Sequence, residues 1–237
     1  SRGLGDVYKR QALNSRFAIS SSDDEGKRRA ALADWLADEQ NILTWRSIVN
    51  RVWHYHFGRG LVGTPNDFGR MGDRPSHPEL LDWLTFEFRA RSGSLKWLHR
   101  TILLSATYAR AADFDEKNFS VDGDNRLLWR MNRRRLEVEP WRDAMLAVSG
   151  NLDLTLGGPS KKLDDTNNRR RTIYGFVSRH KLNELLRLFD FPDPNITSDR
   201  RTSTTVPLQQ LFVLNSGFMN KQAGACLLYT SPSPRDS

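Results

Sequence analysis

The chain has 237 residues, a formal net charge of +8 and one cysteine. With 38% hydrophobic and 27% charged residues, and no apolar run near the length of a membrane span, the composition is that of a soluble globular chain and excludes a membrane-spanning one. The basic excess is carried by arginine, 28 Arg against 8 Lys. The arginines are interleaved with acids, as between Arg126 and Asp143, and no nucleic-acid motif accompanies them, so nucleic-acid binding is not expected. Arg–carboxylate pairing and recognition of acidic ligands by planar guanidinium groups are the remaining readings.

The two ends read as non-native. A single duplex of transposase sequencing adaptor encodes residues 1–11 on one strand and residues 226–236 on the other. The expected organisation is therefore an adaptor-derived segment at 1–11, one helical domain at 12–225, cut from a larger protein, and a second adaptor-derived segment at 226–237. Without those ends the net charge falls to +6 and Cys226 is lost. The remaining stretch has no thiolate, hence no disulfide, no cysteine metal site and no C-x-x-C-H haem attachment. No cofactor is expected within this fragment, and no metal site is read from the sequence.

In chain order, residues 12–26 are polar and Ser/Asp-rich, a linker pattern. Residues 27–39 read as a helix with Leu32, Trp35 and Leu36 on one face. A second helix is expected from an N-cap at Thr44 to Gly58, with Trp45, Ile48, Val49, Val52, Trp53 and Phe57 on its apolar side. At about 100° per residue, His56 falls within that side and His54 opposite it, so the two cannot chelate one metal. His56 reads as a hydrogen-bonded structural residue. Gly58, Gly60 and Gly63 match G-x-G-x-x-G, but the match follows a helix and opens a loop, the reverse of the dinucleotide context. The loop 58–75, with five glycines and two prolines, has the length of a functional loop.

Ser76 and Glu79 form a capping-box pattern ahead of a helix to residue 91, with His77 at its mouth and Leu80, Leu81, Leu84 and Phe88 inward. Ser94 caps a further helix to residue 109, with Leu95, Leu98 and Ile102 inward and His99 on the surface. The tight connection predicts an antiparallel αα-hairpin. Residues 111–124 are acidic and irregular. Glu139 and Pro140 start a helix that ends at Gly150, and residues 152–168 form a loop. Residues 172–177 (Thr-Ile-Tyr-Gly-Phe-Val) carry a strand signal, with a partner either at 125–129 or outside the fragment. A short helix at 182–189 and a polar loop at 190–206 precede a last helix opened by Pro207, with Leu208, Leu211, Phe212 and Leu214 as its apolar residues. The expected fold is mainly α, an irregular helical domain with long glycine-rich loops and a minor β element.

Several stretches together resemble one family: Leu32-Ala-Asp-Trp-Leu36, Asn50-Arg-Val-Trp53 with Phe57-Gly-Arg-Gly60, Thr64-Pro-Asn-Asp-Phe-Gly69, Pro75-Ser-His-Pro-Glu-Leu-Leu-Asp82, Asn125-Arg-Leu-Leu-Trp-Arg130, Arg134-Arg-Leu-Glu137, and Thr205-Val-Pro-Leu-Gln-Gln-Leu211 ending in Asn215-Ser216. The chain is similar to the C-terminal domain of unknown function in large secreted proteins typical of planctomycetes. The resemblance implies secretion and a multidomain parent, often with a cytochrome-c-like domain upstream. It supplies no catalytic residues.

Polar residues concentrate in two loops. Arg59, Asn66, Asp67 and Asp73 lie in the first, and Asp190, Asp193, Asp199, Arg200, Arg201 and Thr204 in the second. Asp67 or Asp190 could act as a general base, and Arg59, Arg200 or Arg201 could bind or pair with acidic groups. The competing reading is that these side chains fix irregular backbone through Asx-turns and ion pairs. The two loops are expected to touch, bringing Arg59, Asn66, Asp67, Asp190, Arg200 and Arg201 together as a ligand site. The leading functional expectation is an accessory or interaction domain that binds an upstream domain of the same parent or an acidic glycan. The alternative is an extracellular enzyme domain acting on polysaccharide, redox-coupled to an upstream haem domain.

Overall fold

The computed structural model describes residues 24–38 and 40–230. The adaptor-like residues 1–11, the polar stretch 12–23 and residues 231–237 lie outside the described residues. The fold is mainly α, as the sequence predicts, and it divides into two compact units, up to Arg133 and from Arg134.

In the first unit, helix α1 (Glu25–Ala37) is capped by Asp24, whose carboxylate accepts from Gly26 N. None of its residues is buried. Leu32 and Leu36, expected to face a core, are exposed. Helix α2 (Ile42–Phe57) is the centre of the unit. Its N-cap is Asn41 and not Thr44: the Asn41 side chain accepts from Thr44 N. Gly58 ends it in the left-handed conformation, φ 80°, a conformation open to glycine without a Cβ penalty. The buried Val49, Trp53 and Phe57 repeat at helical spacing and meet Leu81, Leu84 and Phe88 of helix α3 (Pro78–Ala90).

Helix α3 begins one residue later than the capping-box pattern predicts. His77 is its N-cap, without a side-chain cap hydrogen bond, and Pro78 takes the first helical position, where its missing N–H costs nothing. Ser76 is drawn away because its N–H donates to Leu61 O at 2.8 Å. Gly93 (φ 69°) closes the turn after α3, donating to Phe88 O at 3.0 Å. Ser94 then caps helix α4 (Leu95–Leu103) by accepting from Trp97 N. Leu98 and Ile102 are buried as expected, whereas Leu95 is exposed. Helix α5 (Glu116–Val121), capped by Asp115, occupies part of the stretch read as irregular.

The second unit is built on helix α6 (Val138–Val148). Val138, Arg142 and Leu146 form its buried side, four residues apart as one helix face requires. Val138 packs with Leu163 and with Leu185, Leu186 and Phe189, in and just after helix α7 (Glu184–Leu188). Trp141 stacks on Phe189 with centroids 4.9 Å apart. Helices α8 (Pro207–Asn215) and α9 (Gly217–Thr230) complete the unit.

Two expectations fail here. Residues 172–177 are not a strand: Thr172–Tyr174 is a single 3-10 turn, and the β element is two isolated parallel bridges, Asp153 to Arg170 and Lys161 to Gly175. The bridge partner of this segment is thus residue 161, not 125–129. In α8 the buried residue is Gln209, while Leu208, Leu211 and Leu214 are exposed. Among the described residues no helix is long and apolar enough to cross a membrane.

Candidate functional site

The second unit holds a cleft of about 450 Å³, within the size range of ligand sites. The first turns of α6 supply its acids, Glu137, Glu139 and Asp143, along with Pro140. Glu139 and Asp143 are four residues apart, so they share a helix side next to the buried Val138–Arg142–Leu146 side. Acids in a first helical turn also suit the positive end of the helix dipole. Arg171, Thr172, Ile173, Gly175 and Val177 line the cleft as well, as does Arg201 from the polar loop.

The carboxylates are engaged. Arg201 holds Glu139 in a two-pronged pair, Nη1 to Oε2 at 2.6 Å and Nη2 to Oε1 at 2.8 Å. The same Nη1 lies 3.0 Å from Glu137 Oε2. The Arg201 guanidinium also sits 4.9 Å from the centre of the Phe191 ring. Asp143 Oδ1 accepts from Thr172 N at 2.7 Å and from Thr172 Oγ1 at 2.6 Å. Its other oxygen is 3.8 Å from Arg171 Nε. Such two-pronged pairs fix geometry as well as charge.

Beneath the cleft, Arg142 is fully buried. It donates to Arg170 O at 3.1 Å, Thr172 Oγ1 at 3.2 Å and Asn168 O at 2.5 Å. Burial lowers its pKa and the neighbouring Asp143 charge opposes that shift. Arg170 is also buried and donates to the carbonyls of Pro159, Thr155 and Gly157, with its guanidinium over the Tyr174 ring. These arginines organise irregular chain: carbonyls that no sheet or helix satisfies find donors in the guanidinium fork.

The residues singled out from the sequence belong to different units. Loop 58–75 belongs to the first unit and residues 190–205 to the second. Arg201 pairs with Glu137 and Glu139 of its own unit. Asp190 takes a left-handed backbone, φ 60°. Its two oxygens accept from Thr204 N at 2.7 Å and Thr204 Oγ1 at 2.8 Å, which closes the polar loop. Arg200 is exposed, and its carbonyl accepts from Ser198 Oγ. Asn66 accepts from Arg51. Asp67 forms an Asx-turn to Gly69 N at 2.8 Å, and its carbonyl accepts from Thr64 Oγ1. Arg59 lines a small recess of the first unit with Asp73, Arg74 and Arg126.

Sequence reading missed Glu137, Asp143 and Arg171. The available signal was the i, i+4 spacing of Glu139 and Asp143 in the opening turns of a helix. His56 is half-buried and hydrogen-bonded, its Nε2 2.8 Å from Nδ1 of the exposed His99. Among the described residues no group of three or more His, Cys, Asp or Glu side chains could hold a metal ion.

One family matches the chain, described as PSD1: Protein of unknown function (DUF1553), over residues 28–228. No curated protein and no solved structure shows a significant match.

Proposed function

We propose, from the premise that the chain belongs to the PSD1 family of proteins of unknown function, that it is a non-catalytic interaction module of a larger secreted bacterial protein. The observation that carries this reading is the apolar surface of the second unit. Leu208, Leu211 and Leu214 recur every three residues along α8 and are 63%, 52% and 70% exposed. Ile173 and Val177 line the cleft, and they and nearby Phe176 are exposed too. Leucines repeated along one exposed helix side mark a place where another protein surface comes to rest. The partner is another domain of the same parent. A glycan would call for an open aromatic platform, and Phe191, the aromatic side chain of the cleft wall, lies under Arg201.

Cross-linking mass spectrometry on the full-length parent tests the proposal. Lys161, Lys181 and Lys221 of the second unit should link to another domain. Leu211→Asp with Leu214→Asp should remove those links and leave the helical circular dichroism unchanged. A parent without such links overturns the reading.

A second reading, a domain acting on polysaccharide, is favoured by three carboxylates lining one cleft, of which the Glu137 side chain is 41% exposed. Paired carboxylates are the machinery of glycoside hydrolysis. Release of reducing ends by the chain, lost in Glu137→Gln, would replace the first reading with this one.

A further inference from the structure

The recess of the first unit is lined by three guanidinium groups, Arg59, Arg74 and Arg126, against one carboxylate, Asp73. Arg46 pairs with Asp82, Arg91 with Glu87 and Arg201 with Glu139, while exposed arginines such as Arg100 and Arg200 make no ion pair among the described residues; the recess differs in that three arginines line one place. Among the described residues Arg59, Arg74 and Arg126 make no ion pair and no side-chain hydrogen bond. Three cations left together around one acid form a local excess of positive charge with unused donors, five N–H groups on each fork.

The segments that carry them are fixed. Asn50, fully buried, donates to Val62 O at 3.0 Å and accepts from Val62 N at 2.8 Å, which ties the chain just after Arg59 to α2. Gly60 is required there: a Cβ would lie 2.5 Å from Val62 O and 2.7 Å from Asn50 Oδ1. Thr64 Oγ1 donates to Asp67 O at 2.8 Å and accepts from Asp73 N at 2.9 Å, holding the chain next to Arg74. Asn125 is buried at φ 52° and its side chain grips Arg130 O and Asn132 Oδ1, so Arg126 leaves a set turn. The recess itself is about 20 Å³, room for one water-sized group.

We propose that this recess binds a tetrahedral oxyanion, a sulfate or phosphate ester carried on a larger ligand. One oxygen enters the recess and the remaining oxygens meet the arginines at its rim. Three forks approaching from separate segments suit a tetrahedral group better than a planar carboxylate, which one or two forks saturate. Asp73 is the counter-charge that keeps the empty recess from repelling itself and that an arriving anion must work against. The residues that line the site all belong to the first unit.

The test uses the whole chain with sodium sulfate and sodium phosphate as probes at constant ionic strength, read by NMR amide shifts. Saturable shifts should centre on Gly60, Gly63 and Arg126. Arg59→Ala, Arg74→Ala and Arg126→Ala should each weaken binding roughly tenfold, the worth of one charge-assisted hydrogen bond. Lysine at the same positions should restore part of it. Asp73→Asn should tighten binding, an outcome that lost folding cannot mimic. Arg100→Ala, an exposed control on α4, should change nothing. A sulfated polysaccharide and a phosphomonoester, each used as competitor, distinguish the two ester sources, and displacement by duplex DNA alone would overturn the proposal. No saturable shift, shifts indifferent to all three arginines, or equal competition by a polyuronate would overturn the proposal.

Discussion

Asn50 offers the clearest case of a side chain acting as backbone. It sits on the buried side of α2 with 0% exposure, yet it is polar, and both ends of its amide are satisfied by Val62 alone. The pair imitates one rung of a β-ladder and pins the chain between Gly58 and Val62 onto the helix. Asn50→Ala would leave Val62 N–H and C=O buried without partners, which costs about 2–3 kcal/mol. We expect that loss in chemical denaturation, with raised hydrogen exchange over residues 59–64. Asn66→Ala, where the side chain accepts only from Arg51 among the described residues, should stay within about 0.5 kcal/mol. His56 makes a second residue-scale case. Its ring joins His99 across α2 and α4 and lies edge-on to Tyr108, centroids 5.7 Å apart. His56→Ala should cost about 1 kcal/mol, one hydrogen bond, because the ring is only half-buried. Removing His99 afterwards should add little, since the shared bond is already gone. Additive losses in that double-mutant cycle would mean the rings do not depend on each other.

Helices were legible where the signal is local. Gly58 at the end of α2 and Ser94 ahead of α4 act within one or two turns, and the sequence shows them directly. Residues 172–177 carry the β-branched and aromatic content of a strand without the pairing that a strand needs. Within the segment α6 takes Thr172 N, through Asp143, and Tyr174 O and Phe176 N pair with Lys161 alone, so pairing stops at a single bridge. Nothing local in the segment announces that. The site was partly legible for the same reason. Arg59 and Arg201 stand out as cations in polar loops, whereas the pairing of Arg201 with Glu137 and Glu139 depends on tertiary placement. Helix α8 shows the opposite failure. Its leucines read as a core face, but Gln209 is the residue that docks: Oε1 accepts from Arg135 at 2.7 Å and Val206 N at 3.3 Å, and Nε2 donates to Leu188 O at 2.8 Å. Gln209→Leu should therefore destabilise the chain by about 2 kcal/mol despite better helix propensity, because Arg135 and Leu188 O lose their partner. Leu211→Gln, on the exposed side, should be within about 0.5 kcal/mol in the isolated chain. If the two substitutions cost the same, the burial of α8 described above is wrong.

Each unit has its own apolar centre. In the first, α2 packs on α3 and α4 through Val49, Trp53, Leu84 and Leu98. In the second, α6 and α7 pack through Val138, Leu186 and Phe189. The chain breaks between them at Arg133 and Arg134, inside the arginine run, where an exposed basic stretch has little apolar surface to bury. Two cores of this kind should behave as two cooperative units, opening with their own free energies. The prediction is local. Leu98→Ala leaves a cavity in the first core and Leu186→Ala one in the second, each costing about 2–5 kcal/mol where it occurs. Native-state hydrogen exchange by mass spectrometry should show protection falling across α2, α3 and α4 for Leu98→Ala while peptides of α6 and α7 are unchanged. Leu186→Ala should give the converse. Because the cost of each cavity is of the same order as the opening free energy of one small core, the affected unit should lose much of its protection while the other keeps its own. Protection lost across both units from either substitution would show one cooperative body, and the two-core account would then have to be abandoned.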